Sequence, residues 1–202
     1  MDQQLNELQE KLKDILTEKR FLHTLGVCHT AACLAMCYGA DIKKASIAGI
    51  LHDCAKCLPD EEIKRRCKEY QIDMTDVEER NPYLLHGKLG AYYAKINYGI
   101  KDSDILNAII YHTTGRPNMS LLEKIIFIAD YIEAGRKEIS GLSEIRNIVF
   151  HDLDKAVYMA LENTLKYLNK QIANGQHKEI DKMTLNAYEY YKSGIMEQQN
   201  EE

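Results

Sequence analysis

Apolar residues recur at intervals of three and four along nearly the whole chain, and only three prolines, at 59, 82 and 117, interrupt them. This spacing lines the apolar side chains along one stripe of a helix with about 3.6 residues per turn. No run alternates apolar and polar residues as a half-buried strand does, so the sequence predicts an all-α protein. Helices are expected at about 3–18, 21–38, 41–54, 59–70, 83–98, 102–113, 120–134, 142–150, 152–174 and 178–195. Gly39 and Gly99 stand where apolar periods end, and Asp41 and Asp102 stand where new ones begin, as helix caps do. Pro59 suits a first helical turn, and Asp60, Glu61 and Glu62 favour the positive end of its dipole. The linkers are short and no repeat divides the 202 residues, so one domain is expected, 1–202. The polar tail "EQQNEE" is expected to fray.

A net charge of −5 gives no overall attraction to nucleic acid or anionic lipid. Neither is expected as a partner, and an anionic ligand would need local positive charge. The first residues lack the apolar core of a signal peptide, and no stretch approaches the roughly 20 apolar residues of a membrane span. The expected location is the cytoplasm. Six cysteines cluster in the N-terminal third, at 28, 33, 37, 54, 57 and 67; without an export signal they read as reduced thiols. Cys54 and Cys57 form a lone C-x-x-C with no second pair and no βαβ pattern around it, which favours two small side chains near a helix end over a redox or zinc motif.

The polar residues on apolar faces carry the functional signal. In "IAGILHDCAKCL" an apolar run delivers His52 and Asp53 into the interior, where an unpaired carboxylate costs several kcal/mol. In "DILNAIIYHTTG", His112 follows Ile105, Ala108 and Ile109 on the buried stripe. Asp130 lies in "LLEKIIFIADYIEAGR", a helix apolar almost all round, and shares its stripe with Glu123. His23 has Gly26 and Thr30 on its side of the helix, residues small enough for a close helix neighbour, and His86 has Gly90 one turn on. One core histidine is commonly satisfied by a carbonyl. Together, however, His23, His52, Asp53, His86, His112 and Asp130 offer nitrogen and oxygen ligands from five predicted helices, as metal sites in helical proteins do. Imidazole with carboxylate favours iron, manganese, zinc or a similar first-row ion, and a cation would compensate the buried acids. His29 points away from His23 on the same helix, while His151 and His177 sit among polar neighbours at helix junctions and read as surface residues.

The ordered set H…HD…H…H…D resembles the HD superfamily of metal-dependent phosphohydrolases. The blocks "RFLHTLGV", "AGILHDCAK", "LLHGKLGA", "IIYHTTGRPNMS" and "EKIIFIADYIEAGR" resemble, in order, those of the bacterial YqeK family of symmetrical diadenosine tetraphosphate hydrolases, from about Arg20 to Arg136. Lys88 and Ala134 depart from that pattern, where a small or apolar residue and a proline are expected. The resemblance implies an HD-type helical bundle with a motif-bearing core at about 18–136 and additional C-terminal helices at about 142–195. It further implies hydrolysis of the dinucleotide to two ADP, with two metal ions, iron foremost, and manganese, zinc, cobalt or nickel as alternatives. His23, His52, Asp53 and Asp130 would hold one ion, and Asp53 would bridge to a second held by His86 and His112. With a single ion, His86 and His112 would instead contact phosphate.

Metal coordination can lower the pKa of water from 15.7 toward about 7, so no serine or cysteine nucleophile is required. Asp53 and Lys56 are the expected catalytic residues, Lys56 lying one turn beyond His52 if the helix continues. Arg20 and Arg136 are candidate phosphate clamps, because guanidinium binds phosphate in two-pronged fashion. Thr113, Thr114 and Gly115 of "HTTGRP" are candidates for a phosphate or sugar edge, or alternatively a capping turn. Rival readings are an HD phosphohydrolase acting on a mononucleotide, a deoxynucleoside triphosphate or an alarmone, and a regulator that holds a nucleotide without turnover. The helices after Ser140 contain no comparable cluster; whether they cover the core or form a homodimer contact is open.

Overall fold

A computed structural model describes residues 3–176 and 178–200, with side chains described through Glu197; His177 and the last two residues lie outside them. The order is α1 (Gln3–Lys13), α2 (Glu18–Tyr38), α3 (Ile42–Leu51), α4 (Asp60–Glu69), α5 (Asp76–Arg80), a 3-10 turn (Pro82–Leu85), α6 (His86–Ile96), α7 (Ser103–Tyr111), α8 (Leu121–Ile132), α9 (Leu142–Ile148), α10 (Leu153–Ala173) and α11 (Lys182–Asn200). The described residues contain no strand.

The predicted punctuation is largely where it was expected. Gly39 ends α2 with φ 68°, a left-handed conformation that costs glycine nothing, and the Asp41 and Asp102 carboxylates accept backbone N–H bonds at the starts of α3 and α7. Each such cap is worth about 1 kcal/mol. Pro59 is the residue before α4 rather than inside its first turn. Two boundaries differ more. The first helix stops at Lys13, not 18, and α3 ends at Leu51, so residues 52–57 form consecutive turns instead of a helical continuation. The short α5 was not anticipated.

α3 packs against α2, α7 and α8, and α8 packs against α2, α3, α7 and α10. Leu122, Ile125, Ile126, Phe127, Ile128, Ala129 and Ile132 of α8 are all buried, each large one stabilising the fold by about 1.5–3 kcal/mol. The expected central helix is therefore α8. Close backbone approaches occur at Gly49, where a Cβ would lie 2.9 Å from the Cys28 Cα of α2, and at Gly87, where it would lie 2.7 Å from Ile110 O. Gly26 does not face a neighbouring helix as expected; it faces Glu133 in the segment after α8.

By length and composition α2 could cross a membrane, contrary to the expectation that no stretch approaches a span. Here it lies in the bundle against α3 and α8, with Val27, Ala31, Leu34 and Ala35 buried. The C-terminal helices cover the core: α10 lies on α8 and α9, and α11 lies on α10. The Tyr191 hydroxyl of α11 accepts the Met119 N–H at 3.0 Å, tying that helix to the segment before α8. α11 continues through Asn200, and the last two residues of the tail expected to fray lie outside the described residues.

Candidate metal centre

Helix ends gather the site. His52 is the residue at which α3 terminates, Asp53 follows in the first turn beyond it, His112 is the terminating residue of α7, and His86 opens α6 after the 3-10 turn. His23 and Asp130 come from within α2 and α8. Ending a helix at each histidine frees carbonyls in its last turn, and the side chains use them. His52 Nδ1 lies 2.7 Å from Gly49 O, His112 Nδ1 2.7 Å from Ile109 O, and His86 Nδ1 2.5 Å from Tyr83 O. A ring whose Nδ1–H is donated to a carbonyl presents the lone pair of Nε2 on its other side.

Those Nε2 atoms converge on Asp53, which is 2% exposed. Its Oδ2 lies 3.3 Å from His52 Nε2 and 3.9 Å from His23 Nε2, while its Oδ1 lies 3.2 Å from His86 Nε2 and 3.5 Å from His112 Nε2. The two oxygens of one carboxylate thus sort four histidines into two pairs. Asp130 Oδ1 joins the first pair, 2.9 Å from His23 Nε2 and 3.8 Å from His52 Nε2. In the second pair the two Nε2 atoms are 3.0 Å apart. All six residues singled out in the sequence are therefore brought together.

Three buried atoms here, His23 Nε2, His52 Nε2 and Asp53 Oδ1, make no hydrogen bond. Orphaned buried polar atoms demand a partner. Donors bound at about 2.0–2.2 Å to one cation stand roughly 3 Å apart, which is the spacing seen. Two adjoining histidine and carboxylate groups suited to a metal ion result, His23, His52 and Asp130 on one side and His52, Asp53 and His112 on the other.

Burial and charge set the protonation states. Burial pushes His86 down to about 4, with Lys56 and His112 acting in the same direction, leaving a neutral imidazole. Burial would lower His52 too, but the neighbouring Asp53 charge raises it. Burial works against ionisation of Asp53 and Asp130. The His52 charge and the imidazoles gathered round the carboxylate nevertheless hold Asp53 well below the usual carboxylate range, and His23 with Arg136 does the same for Asp130.

Cations line the rim. Arg20 Nη1 lies 2.6 Å from Asp53 Oδ2 and Arg136 Nη2 2.5 Å from Asp130 Oδ1. Lys56 reaches His86, 3.2 Å from its Nδ1, by way of the turns after α3 and not by a helical continuation; burial lowers its amine's pKa. The Thr113 hydroxyl is 3.0 Å from His112 Nε2 and 3.2 Å from His86 Nε2. Thr114 instead donates to Gly115 O, and Gly115 is buried toward Ala187, Met119 and Phe127; neither lines the cavity beside the site. That cavity, about 1020 Å³, runs from His23, Asp130 and Arg136 to an apolar wall that includes Leu22, Tyr131 and Ile139.

Sequence reasoning passed over Glu133, which is 3% exposed with Oε1 3.0 Å from His23 Nδ1. It falls inside the helix predicted at 120–134, three residues after Asp130, but α8 ends at Ile132 and the ring that Glu133 holds is distant in the chain. His151 is exposed as expected, and His29 is exposed too. All six cysteines are free; Cys54 is buried, with Sγ 3.4 Å from Gly90 O, and burial pushes its thiol up to about 12.

Comparison with known proteins agrees with this arrangement. Residues 20–135 match the HD domain family. The chain belongs to the HD domain family. Similar proteins include the symmetrical bis(5'-nucleosyl)-tetraphosphatase of Bacillus subtilis (strain 168), 45% identical over 160 residues covering 79% of this chain and 85% of that one. The protein of the same name from Staphylococcus aureus (strain NCTC 8325 / PS 47) is 39% identical over 180 residues, 88% and 91% of the two chains. A crystal structure from Clostridium acetobutylicum, described as a predicted HD superfamily hydrolase involved in NAD metabolism, superposes with a TM-score of 0.87 at 48% identity, covering 94% and 97%. Within this HD domain, Lys88 has a structural use: its Nζ reaches Asp73 O at 3.0 Å and the buried Glu78 at 2.7 Å, pinning α5 to α6.

Proposed function

We infer that this chain is a metal-dependent hydrolase that splits diadenosine tetraphosphate symmetrically into two ADP. The observation that carries the reading is the division of Asp53, one oxygen toward His23 and His52 and the other toward His86 and His112. A carboxylate shared between two pairs of histidines suits a pair of cations. The close similarity to two proteins named symmetrical bis(5'-nucleosyl)-tetraphosphatase supplies the substrate.

In this reading His23, His52, Asp53 and Asp130 hold one ion, and Asp53, His86 and His112 hold the second. Iron is the ion we assign, by family resemblance; the donor set accepts first-row ions generally. When bound, the pair supplies acidification of water and neutralisation of phosphate charge. The chain's own residues do the rest. Neutral His86 keeps its lone pair available at physiological pH. Arg20 and Arg136 each have a guanidinium at the mouth of the site, placed to exchange carboxylate for phosphate oxygens. Lys56 and Thr113 stand beside His86, where a phosphate or leaving oxygen would take a hydrogen bond. Leu22, Tyr131 and Ile139 offer one nucleoside an apolar surface next to the charged floor. The water oxygen joins one of the two central phosphorus atoms, and the central bridging oxygen leaves with the other ADP.

Purified protein of measured metal content, incubated with diadenosine tetraphosphate and a panel of mononucleotides, tests this directly. ADP as sole product, abolished by chelator, is expected. AMP with ATP would refute the symmetrical cut, and absence of turnover with any metal would favour a nucleotide-binding regulator.

A further inference from the structure

Three of the four histidines of the site are oriented by carbonyls three residues earlier, available because each ring stands at the end of an element. His23 has no such recourse. It lies inside α2, five residues after Glu18, where the carbonyls of the preceding turn are committed to the helix. Its Nδ1 is instead 3.0 Å from Glu133 Oε1, a carboxylate brought from the end of α8 across 110 residues of sequence. Resting on the metal-centre reading above, we propose that Glu133 is the positioning residue for His23, and that Gly26 exists to admit it.

Glu133 is itself held from several directions. Its Oε2 accepts the Gly135 N–H at 2.6 Å, its backbone N–H donates to Ala129 O at 3.0 Å, and its carbonyl accepts from Arg136 N at 3.0 Å and Arg146 Nη2 at 2.9 Å. A carboxylate so fixed determines both the tautomer of His23 and the ring angle that aims Nε2 at Asp53 and Asp130. Being anionic, it also makes His23 a stronger donor than a carbonyl would. Gly26, one turn beyond His23, completes the arrangement. A Cβ there would fall 2.5 Å from Glu133 Oε2 and 3.2 Å from its Cδ, the first too short for the carboxylate to stay where it is. Gly26→Ala must therefore displace the carboxylate that holds His23, although alanine is the better helix former.

The test compares wild type, Glu133→Ala, Glu133→Gln, Gly26→Ala and the Gly26→Ala/Glu133→Ala double variant, using manganous ion alone in competition with a chelator, alongside thermal melts of metal-free protein. Glu133→Ala is expected to weaken one of two manganese sites by about 10–100-fold. Glu133→Gln, which keeps an acceptor but loses the charge, recovers part of that loss, and Gly26→Ala reproduces it. In the Glu133→Ala background Gly26→Ala adds less than about twofold, because nothing remains for the new methyl to displace. Metal-free melting temperatures do not follow the affinity order. Wild-type affinity at both sites in Glu133→Ala, or independent multiplication of the two single effects, overturns the proposal while leaving the metal centre standing. Failure of wild type itself to bind manganese overturns both.

Discussion

Arg20 Nη1 and Asp53 Oδ2 lie 2.6 Å apart, on the same carboxylate oxygen that faces His23 and His52. The arginine is one-third exposed and the aspartate almost wholly buried, so the guanidinium acts as a plug of positive charge at the site's mouth. Cations in the site would take over that compensation. Arg20→Ala is therefore expected to destabilise metal-free protein by about 1–2 kcal/mol, reduced from the full cost of unpairing a buried ion because solvent reaches Arg20. Metal-loaded protein should lose less than half as much. Melts with and without manganese decide; equal losses in both states would mean that Arg20 and the metal do not share Asp53.

His86 gives a pH signature. Its imidazole, pushed down to about 4 by burial, stays neutral while the same residue in the unfolded chain takes up a proton near 6.5. As pH falls from about 6.5 to 4 the unfolded state gains a proton that the folded state refuses, so the stability attributable to His86 falls across that window. An NMR titration of metal-free protein should place His86 at about 4, well below an ordinary histidine. Titration near 6.5 would contradict the environment described.

Leu22 is 61% exposed on the wall of the cavity, an apolar side chain that the core does not need. Leu22→Asp should raise KM for diadenosine tetraphosphate by about tenfold, with kcat within about twofold, as loss of uniform binding does. Steady-state kinetics measure this; an unchanged KM would move the nucleoside elsewhere.

Cys54 and Cys57 give a negative control. Cys57 is exposed, and the Cys54 thiol is buried toward Gly90 rather than toward any site nitrogen. Cys57→Ala should leave stability unchanged, and Cys54→Ala should cost about 1 kcal/mol for its small cavity. Both should retain full metal content, measured by elemental analysis. Metal loss in either would reopen the C-x-x-C pair as a ligand set.

Much of this was legible in the sequence because helical period and burial carry the same information. His112 and Asp130 were found from the apolar residues around them, and α8 was expected to be central from its nearly continuous hydrophobicity. What the period could not supply lay where helices stop. Residues 52–57 look helical by composition, yet α3 ends at Leu51, and that ending directs His52 and Asp53 inward and brings Lys56 round to His86. The capping box of α5, Thr75 with Glu78, is a readable signature that short helices share with turns. Glu133 escaped for a different reason: its partner is distant in the chain, and only the Cβ-less surface of Gly26 betrays it. The resemblance stands apart from these derivations, since metal number and substrate do not follow from spacing.

The central claim is that Asp53 joins two cations, each on its own pair of histidines. Anomalous diffraction from crystals grown with manganese measures this most directly. Two peaks are predicted, one beside each Asp53 oxygen, the first among His23, His52 and Asp130 and the second between His86 and His112, with both absent in Asp53→Ala. A single peak away from Asp53, or two peaks that survive its removal, would contradict the account.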